Sequence, residues 1–155
     1  MRRLLAVSLL LVVSAADAQV VRTADVVTWR VQAERAAPGQ ESRVVFEAEV
    51  APGWRLYAAD SPVGRPFAVR LDPLPSGVTA LALRQAPPLR AYDPGFESDY
   101  TYFAERARFV QPLRVGSRAQ PGERRVSGAL QYAVCNDEVC LPPARQTFAV
   151  PLVVE

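Results

Sequence analysis

Cys135 and Cys140 are the only cysteines in the chain, and four residues separate them. A thiol pair this close could close a disulfide, pass electrons by exchange or hold a soft metal. Between them lies Asn136-Asp137-Glu138-Val139, whose Asn-Asp is a turn signal between two apolar runs. Ahead of the pair, Val126, Leu130, Tyr132 and Val134 share one parity, as on a strand with one buried face. Cys135 has the other parity, with Ser127, Ala129, Gln131 and Ala133. That face is small or polar, so Cys135 is expected to point away from the densest packing. A hairpin loop at 136–139 would set the cysteines opposite each other, with Cα atoms about 4.5–5.5 Å apart, close enough for a disulfide. Pro142 and Pro143 then end regular pairing, because neither has an N–H to donate.

Other chemistries are poorly supplied. Histidine is absent, which removes Ser-His-Asp and Cys-His catalysis and every histidine metal site. The single methionine is the initiator, so soft-metal donors are scarce, and neither a metal nor another cofactor is expected. All 18 basic residues are arginine, set against 16 acidic ones. The charges are interspersed rather than gathered in a stripe, so nucleic-acid binding has no support.

The elements that must position the cysteines begin after a leader. Arg2 and Arg3, the apolar run from Leu4 to Val13, and Ala16-Asp17-Ala18 before Gln19 fit a signal peptide over residues 1–18. The run is short for a bilayer span; a retained anchor is the alternative. Residues 19–155 then form one exported domain, in a compartment where disulfides persist.

Along that domain, residues 19–25 are a polar, frayed start. Val26–Val31 reads as a strand, with Val27, Trp29 and Val31 on one face. Alternation is clearest in Glu41–Val50, where Val44, Phe46, Ala48 and Val50 face one way. Further strands are expected at Trp54–Ala58, Phe67–Leu71, Val78–Leu83 and Arg108–Val115, the last broken or bulged at Pro112. A long strand after Gly122 runs to Cys135. Thr147–Val154 closes the chain, and Pro151 marks it as an edge. Tyr92 to Tyr102 reads as an aromatic-rich loop. About nine short strands, punctuated by 14 prolines and 8 glycines, predict an all-β fold, an immunoglobulin-like β-sandwich with a cysteine pair at a hairpin near the C-terminus. A small barrel is the competing architecture.

Spacing alone leaves the role of the cysteines open. As a staple, a bridge closing so short a loop stabilises by roughly 2 kcal/mol, against about 3 for a fifteen-residue loop. A domain of this length also needs a staple less than a mini-protein does. An exposed hairpin-tip bridge is, conversely, easily reduced. The pair is not Cys-x-x-Cys and no βαβ pattern accompanies it, so a thioredoxin domain is excluded.

The stretch Tyr132-Ala133-Val134-Cys135-Asn136-Asp137-Glu138-Val139-Cys140-Leu141-Pro142-Pro143 resembles the active hairpin of the N-terminal periplasmic domain of the thiol:disulfide interchange protein DsbD, within the disulfide bond corrector family. Pro52-Gly53-Trp54-Arg55-Leu56-Tyr57 is similar to that family's early strand, and Tyr92–Phe103 to its cap loop. The resemblance implies a thiol–disulfide oxidoreductase acting as an electron-relay domain. Reducing equivalents would come from a membrane-embedded donor of the DsbD or CcdA kind and pass to periplasmic thioredoxin-like acceptors. Cys140 would attack or be captured by the partner, and Cys135 would resolve the mixed disulfide. Phe96 would shield the pair and Tyr57 would line the site. Two departures accompany the likeness. The DsbD domain has one residue more between its cysteines than the four here, and acidic residues where this chain has Pro94 and Gly95. The nearest carboxylates are Asp93 and Glu97. Asp137 and Glu138 are expected as solvated turn residues, or as charges that disfavour a nearby thiolate. With the sequence closing at Glu155, the expected unit is a stand-alone domain whose donor is another protein. A secreted immunoglobulin-like binding or assembly module with a purely structural disulfide is the competing function.

Overall fold

The computed structural model describes residues 20–155; the expected signal peptide lies outside the described residues. One helical turn, α1 (Thr23–Val26), precedes twelve strands. They are β1 (Val27–Ala33), β2 (Glu41–Val50), β3 (Arg55–Tyr57), β4 (Ala68–Leu71), β5 (Val78–Ala80) and β6 (Arg84–Gln85). After these come β7 (Leu89–Asp93), β8 (Ser98–Phe103), β9 (Arg106–Val115), β10 (Gly122–Tyr132), β11 (Val134–Cys135) and β12 (Ala144–Val154). All pairings between strands are antiparallel, in three sheets. The first is β1-β2-β9-β5, with β6 also on β9; the second is β12-β10-β4; the third is β11-β3-β8-β7. The immunoglobulin-like β-sandwich is thus what the chain forms.

The period-2 pattern builds the core directly. Val44, Phe46, Ala48 and Val50 of β2 are all buried and meet Val126, Leu130, Phe148, Val150 and Leu152 from the second sheet. Phe46 lies edge-on to Phe148, with ring centroids 5.1 Å apart. Leu56, Phe103 and Val134 carry the third sheet into the same core. The second sheet admits its edge strand β4 closely. A Cβ on Gly128 would sit 2.3 Å from the Arg70 carbonyl oxygen, so no larger residue fits there.

Several expectations need correction. Tyr92–Tyr102 is not a loop but most of the hairpin β7–β8, whose Tyr and Thr side chains suit a pleated surface. Only Pro94–Glu97 turn, and Asp93 accepts hydrogen bonds from the Gly95 and Phe96 N–H groups (2.7 and 3.2 Å) to hold that turn. The start of the domain is not frayed at Thr23, which is buried and donates its hydroxyl to the Pro142 carbonyl at 2.6 Å. Val78–Leu83 forms a strand only to Ala80, and β6 follows separately. The long strand ends at Tyr132; past Ala133 the chain pairs in a different sheet. Pro151 does lie on an edge strand, β12.

Pro112 neither breaks nor bulges β9, whose register with β2 runs unbroken from Glu41↔Arg114 to Glu49↔Arg106. The missing N–H would have faced Leu81, in the gap between β5 and β6. Leu81 N–H donates to the Pro112 carbonyl at 2.9 Å, and the return bond to the Leu81 carbonyl comes from the side-chain amide of buried Gln111. A side chain therefore replaces the backbone donor that proline lacks. Gln111→Leu is expected to lower stability by about 1–3 kcal/mol in urea unfolding with an unchanged m-value. Adding Pro112→Ala, which restores a backbone donor, is expected to recover part of that loss.

Candidate functional site

The break after Tyr132 positions the cysteines. β11 pairs with β3 through Val134↔Leu56 and Cys135↔Arg55, and β3 pairs with β8 through Leu56↔Phe103 and Tyr57↔Tyr102. Alternation divides this sheet into two faces. Val134, Leu56 and Phe103 point into the domain core. Cys135, Arg55, Tyr57, Tyr100 and Tyr102 share the other face, where Tyr57, Tyr100 and Ala133 form a small buried cluster bordered by Val63, Ala91, Tyr102 and Cys135.

Cys135 and Cys140 form a disulfide, with Cα atoms 4.0 Å apart. They are opposed in an isolated antiparallel bridge. The flanking bonds are Asn136 N–H to the Val139 carbonyl (2.9 Å) and Leu141 N–H to the Val134 carbonyl (3.0 Å). The cysteines thus occupy a non-hydrogen-bonded position, the closer kind of cross-strand pair, and come nearer than the expected distance. Asn136 builds the loop, accepting hydrogen bonds on Oδ1 from the Glu138 and Val139 N–H groups (2.9 and 2.7 Å). The two cysteines stand unequally: Cys135 is half-buried and Cys140 exposed.

Tyr57 lies beside Cys135. Its hydroxyl donates to Cys135 Sγ at 3.3 Å, since a disulfide sulfur can only accept. Gly64, at φ +77°, packs on the ring, and a Cβ there would lie 2.4 Å from Cζ of Tyr57. Tyr57 is only 4% exposed, and burial, with the nearby charge of Asp93 and then Tyr100, pushes its pKa up. The phenol stays a donor through the neutral range. Phe96 stands on the β7–β8 turn and is 50% exposed. Apart from Val20 and Val21 near the N-terminus, the large apolar side chains left exposed among the described residues are Leu89, Tyr92, Phe96 and Val139. All four belong to the β7–β8 hairpin or the cysteine loop.

Arg55 carries more of the site than its place in the sequence announces. Its guanidinium pairs with Asp137 at 2.7 Å, donates to the Tyr100 hydroxyl at 3.2 Å, and lies 5.5 Å from the Tyr102 ring centroid. The bond to Tyr100, opposed by burial and followed by the Asp137 pair, pushes its pKa up, so it is always charged. Asp137 is thus an ion-pair partner as well as a solvated turn residue; its side chain remains 81% exposed. One sequence signal pointed to Arg55: it shares parity with Tyr57 on β3. No group of three or more His, Cys, Asp or Glu among the described residues could hold a metal.

Fold and site together define a class: an immunoglobulin-like domain presenting one exposed and one sheltered cysteine, bridged, at a hairpin tip. Residues 23–152 match the family described as thiol:disulfide interchange protein DsbD, N-terminal, and the chain belongs to that family. Membership places it among thiol–disulfide exchange domains. The structure is similar to the reduced N-terminal domain of DsbD from Neisseria meningitidis, with 17% identity, a TM-score of 0.58, and 90% of this chain and 95% of that one covered. It is also similar to the N-terminal periplasmic domain of ScsB from Proteus mirabilis, with 15% identity, a TM-score of 0.56 and 84% of this chain covered, though only 47% of that chain. At these identities the likeness is one of fold. No curated protein matches the chain in sequence.

Two buried phenols set an alkaline limit on stability. Burial raises the pKa of Tyr132 as well as that of Tyr57. In the unfolded chain tyrosine ionises near pH ~10. Above that pH the unfolded state holds fewer protons than the folded one, so stability is complete below it and falls as pH rises through the raised folded values. Urea midpoints measured from about pH 8 to 11 are expected to decline above 10, less steeply in Tyr57→Phe.

Proposed function

We propose that this protein is a periplasmic module relaying reducing equivalents from a membrane-embedded DsbD- or CcdA-like donor to thioredoxin-like acceptors through Cys135 and Cys140. The observation that carries the reading is the unequal exposure of the two bridged cysteines at a hairpin tip. The exposed residue is the one an incoming thiolate meets more readily, which suits Cys140 to the mixed disulfide and Cys135 to its resolution. In the reducing direction the Cys140 thiolate attacks an acceptor disulfide and one acceptor sulfur leaves as thiolate. Cys135 thiolate then attacks Cys140 Sγ, the second acceptor sulfur leaves, and the 135–140 bridge re-forms. Two electrons pass to the acceptor, and its two thiolates take up the two protons the cysteines gave. The membrane donor restores the pair by the reverse sequence. Exposed apolar side chains on both hairpins, Leu89, Tyr92 and Phe96 on one and Val139 on the other, support partner binding by this sheet. A signal peptide at residues 1–18 would deliver the domain across the membrane.

A reduction potential between roughly −180 and −270 mV is expected by equilibrium titration in a thiol/disulfide buffer. A value below about −300 mV would mark a structural bridge and end the relay reading. Cys135→Ser is expected to accumulate a mixed disulfide on Cys140 with a thioredoxin-like acceptor, and Cys140→Ala to abolish transfer.

In this reading the role expected for Phe96, from the family resemblance, is to shield the disulfide until a partner displaces the β7–β8 turn. Phe96→Ala is then expected to speed reduction by dithiothreitol severalfold; an unchanged rate would remove the shielding role.

A further inference from the structure

We infer that Arg55 is a positioning residue of the exchange reaction, whose guanidinium holds Cys135 as a thiolate whenever the disulfide is open. The inference rests on the exchange reading above and adds a residue to it. Arg55 and Cys135 are directly opposed on β3 and β11, which puts their Cβ atoms about 4.5–5.5 Å apart. The guanidinium is held in place before any reaction: by Asp137 of the cysteine loop (2.7 Å), by the Tyr100 hydroxyl (3.2 Å), and over the Tyr102 ring (5.5 Å). Its side chain is 33% exposed, so water screens it less than a free surface arginine. Because the same cation grips Asp137, the loop bearing Cys140 stays attached to β3 after the covalent link is gone.

The charged and titratable groups around Cys135 come from every neighbouring element. β3 supplies Arg55 and the Tyr57 hydroxyl, the latter 3.3 Å from the sulfur. The loop supplies Asp137 and Glu138, β8 supplies Tyr100 and Tyr102, and β7 supplies Asp93, whose charge is felt at Tyr57. Carboxylates disfavour a thiolate and the cation favours one. Arg55 acts twice, adding its own positive charge and neutralising the nearest carboxylate of the loop. Cys135 is the nucleophile when the mixed disulfide resolves and the first leaving group when the bridge is opened. In both steps the Cys135–Cys140 bond forms or breaks with two electrons residing on Cys135 Sγ as a thiolate. Arg55 stabilises that anion without taking or giving a proton, while the Tyr57 O–H supplies a neutral hydrogen bond.

The test uses Cys140→Ser protein, in which Cys135 is the sole thiol, and follows its alkylation by iodoacetamide across pH. Adding Arg55→Met is expected to raise the Cys135 pKa by roughly one unit, about a tenfold loss of thiolate at neutral pH. Arg55→Lys is expected to restore most of the shift, and Asp137→Asn alone to move the pKa down. The same profile with Met as with Arg at this position would overturn the inference. So would equal rises in the Met and Lys variants, since these would report a disordered loop rather than a lost charge. The titration involves no partner, so a relay that fails in transfer assays while the pKa shifts as stated would overturn the relay and leave the role of Arg55 standing.

Discussion

Two residue pairs, Val134 with Leu56 and Cys135 with Arg55, tie the cysteine hairpin to the rest of the domain. Everything distinctive about the site follows from that short pairing. Strand pleat makes neighbouring residues diverge, so Val134 and Leu56 are drawn into the core while Cys135 and Arg55 are turned outward. Burial of the first pair, with neither residue exposed to water, anchors the second at the surface. Had β10 simply continued beyond Tyr132 in its own sheet, Cys135 would lie on the outer face beside Gln131, with none of the tyrosines near it.

The site combines a rigid floor with an open top. Its floor is aromatic: Tyr57 and Tyr100 meet edge-on with centroids 5.7 Å apart, and Tyr100 stacks on Tyr102 at 5.2 Å. Gly64 has no side chain, and the backbone around it presses on Tyr57. From below, α1 reaches the exit of the cysteine loop through Thr23 and the Pro142 carbonyl. The loop above is short and exposed. Its conformation is maintained by Asn136 and by the Arg55–Asp137 pair rather than by burial. A surface ion pair is ordinarily worth little, but this one closes a network with a phenol and an aromatic face. It fixes the orientation of the Arg55 guanidinium on the face that Cys135 shares.

Prolines show how local chemistry and fold were reconciled. Pro151 sits on an edge strand, where a missing donor costs nothing. Pro112 lies in β9, with partners on both sides, and is tolerated because Gln111 supplies the absent hydrogen bond. The reading of a broken strand there followed proline's local rule correctly and lacked only the compensating side chain. The loop expected at Tyr92–Tyr102 failed for a related reason. Asp-Pro-Gly is a turn signal, but it governs only four residues, and the tyrosines around it alternate as strand residues do.

The sequence by itself determined the fold class, the inward faces of β1 and β2, and the hairpin that opposes Cys135 and Cys140, because each depends on local periodicity or on a turn of a few residues. It also singled out Tyr57, through resemblance in one short strand. The tertiary structure alone decided that β11 leaves the sheet of β10 and pairs with β3, about 80 residues earlier in the chain. That choice brought Arg55, Tyr100 and Tyr102 to the cysteines and left Phe96 on an exposed turn. No local pattern encodes such a partnership. It is settled by which apolar faces, Leu56, Phe103 and Val134 among them, can be buried together in one core.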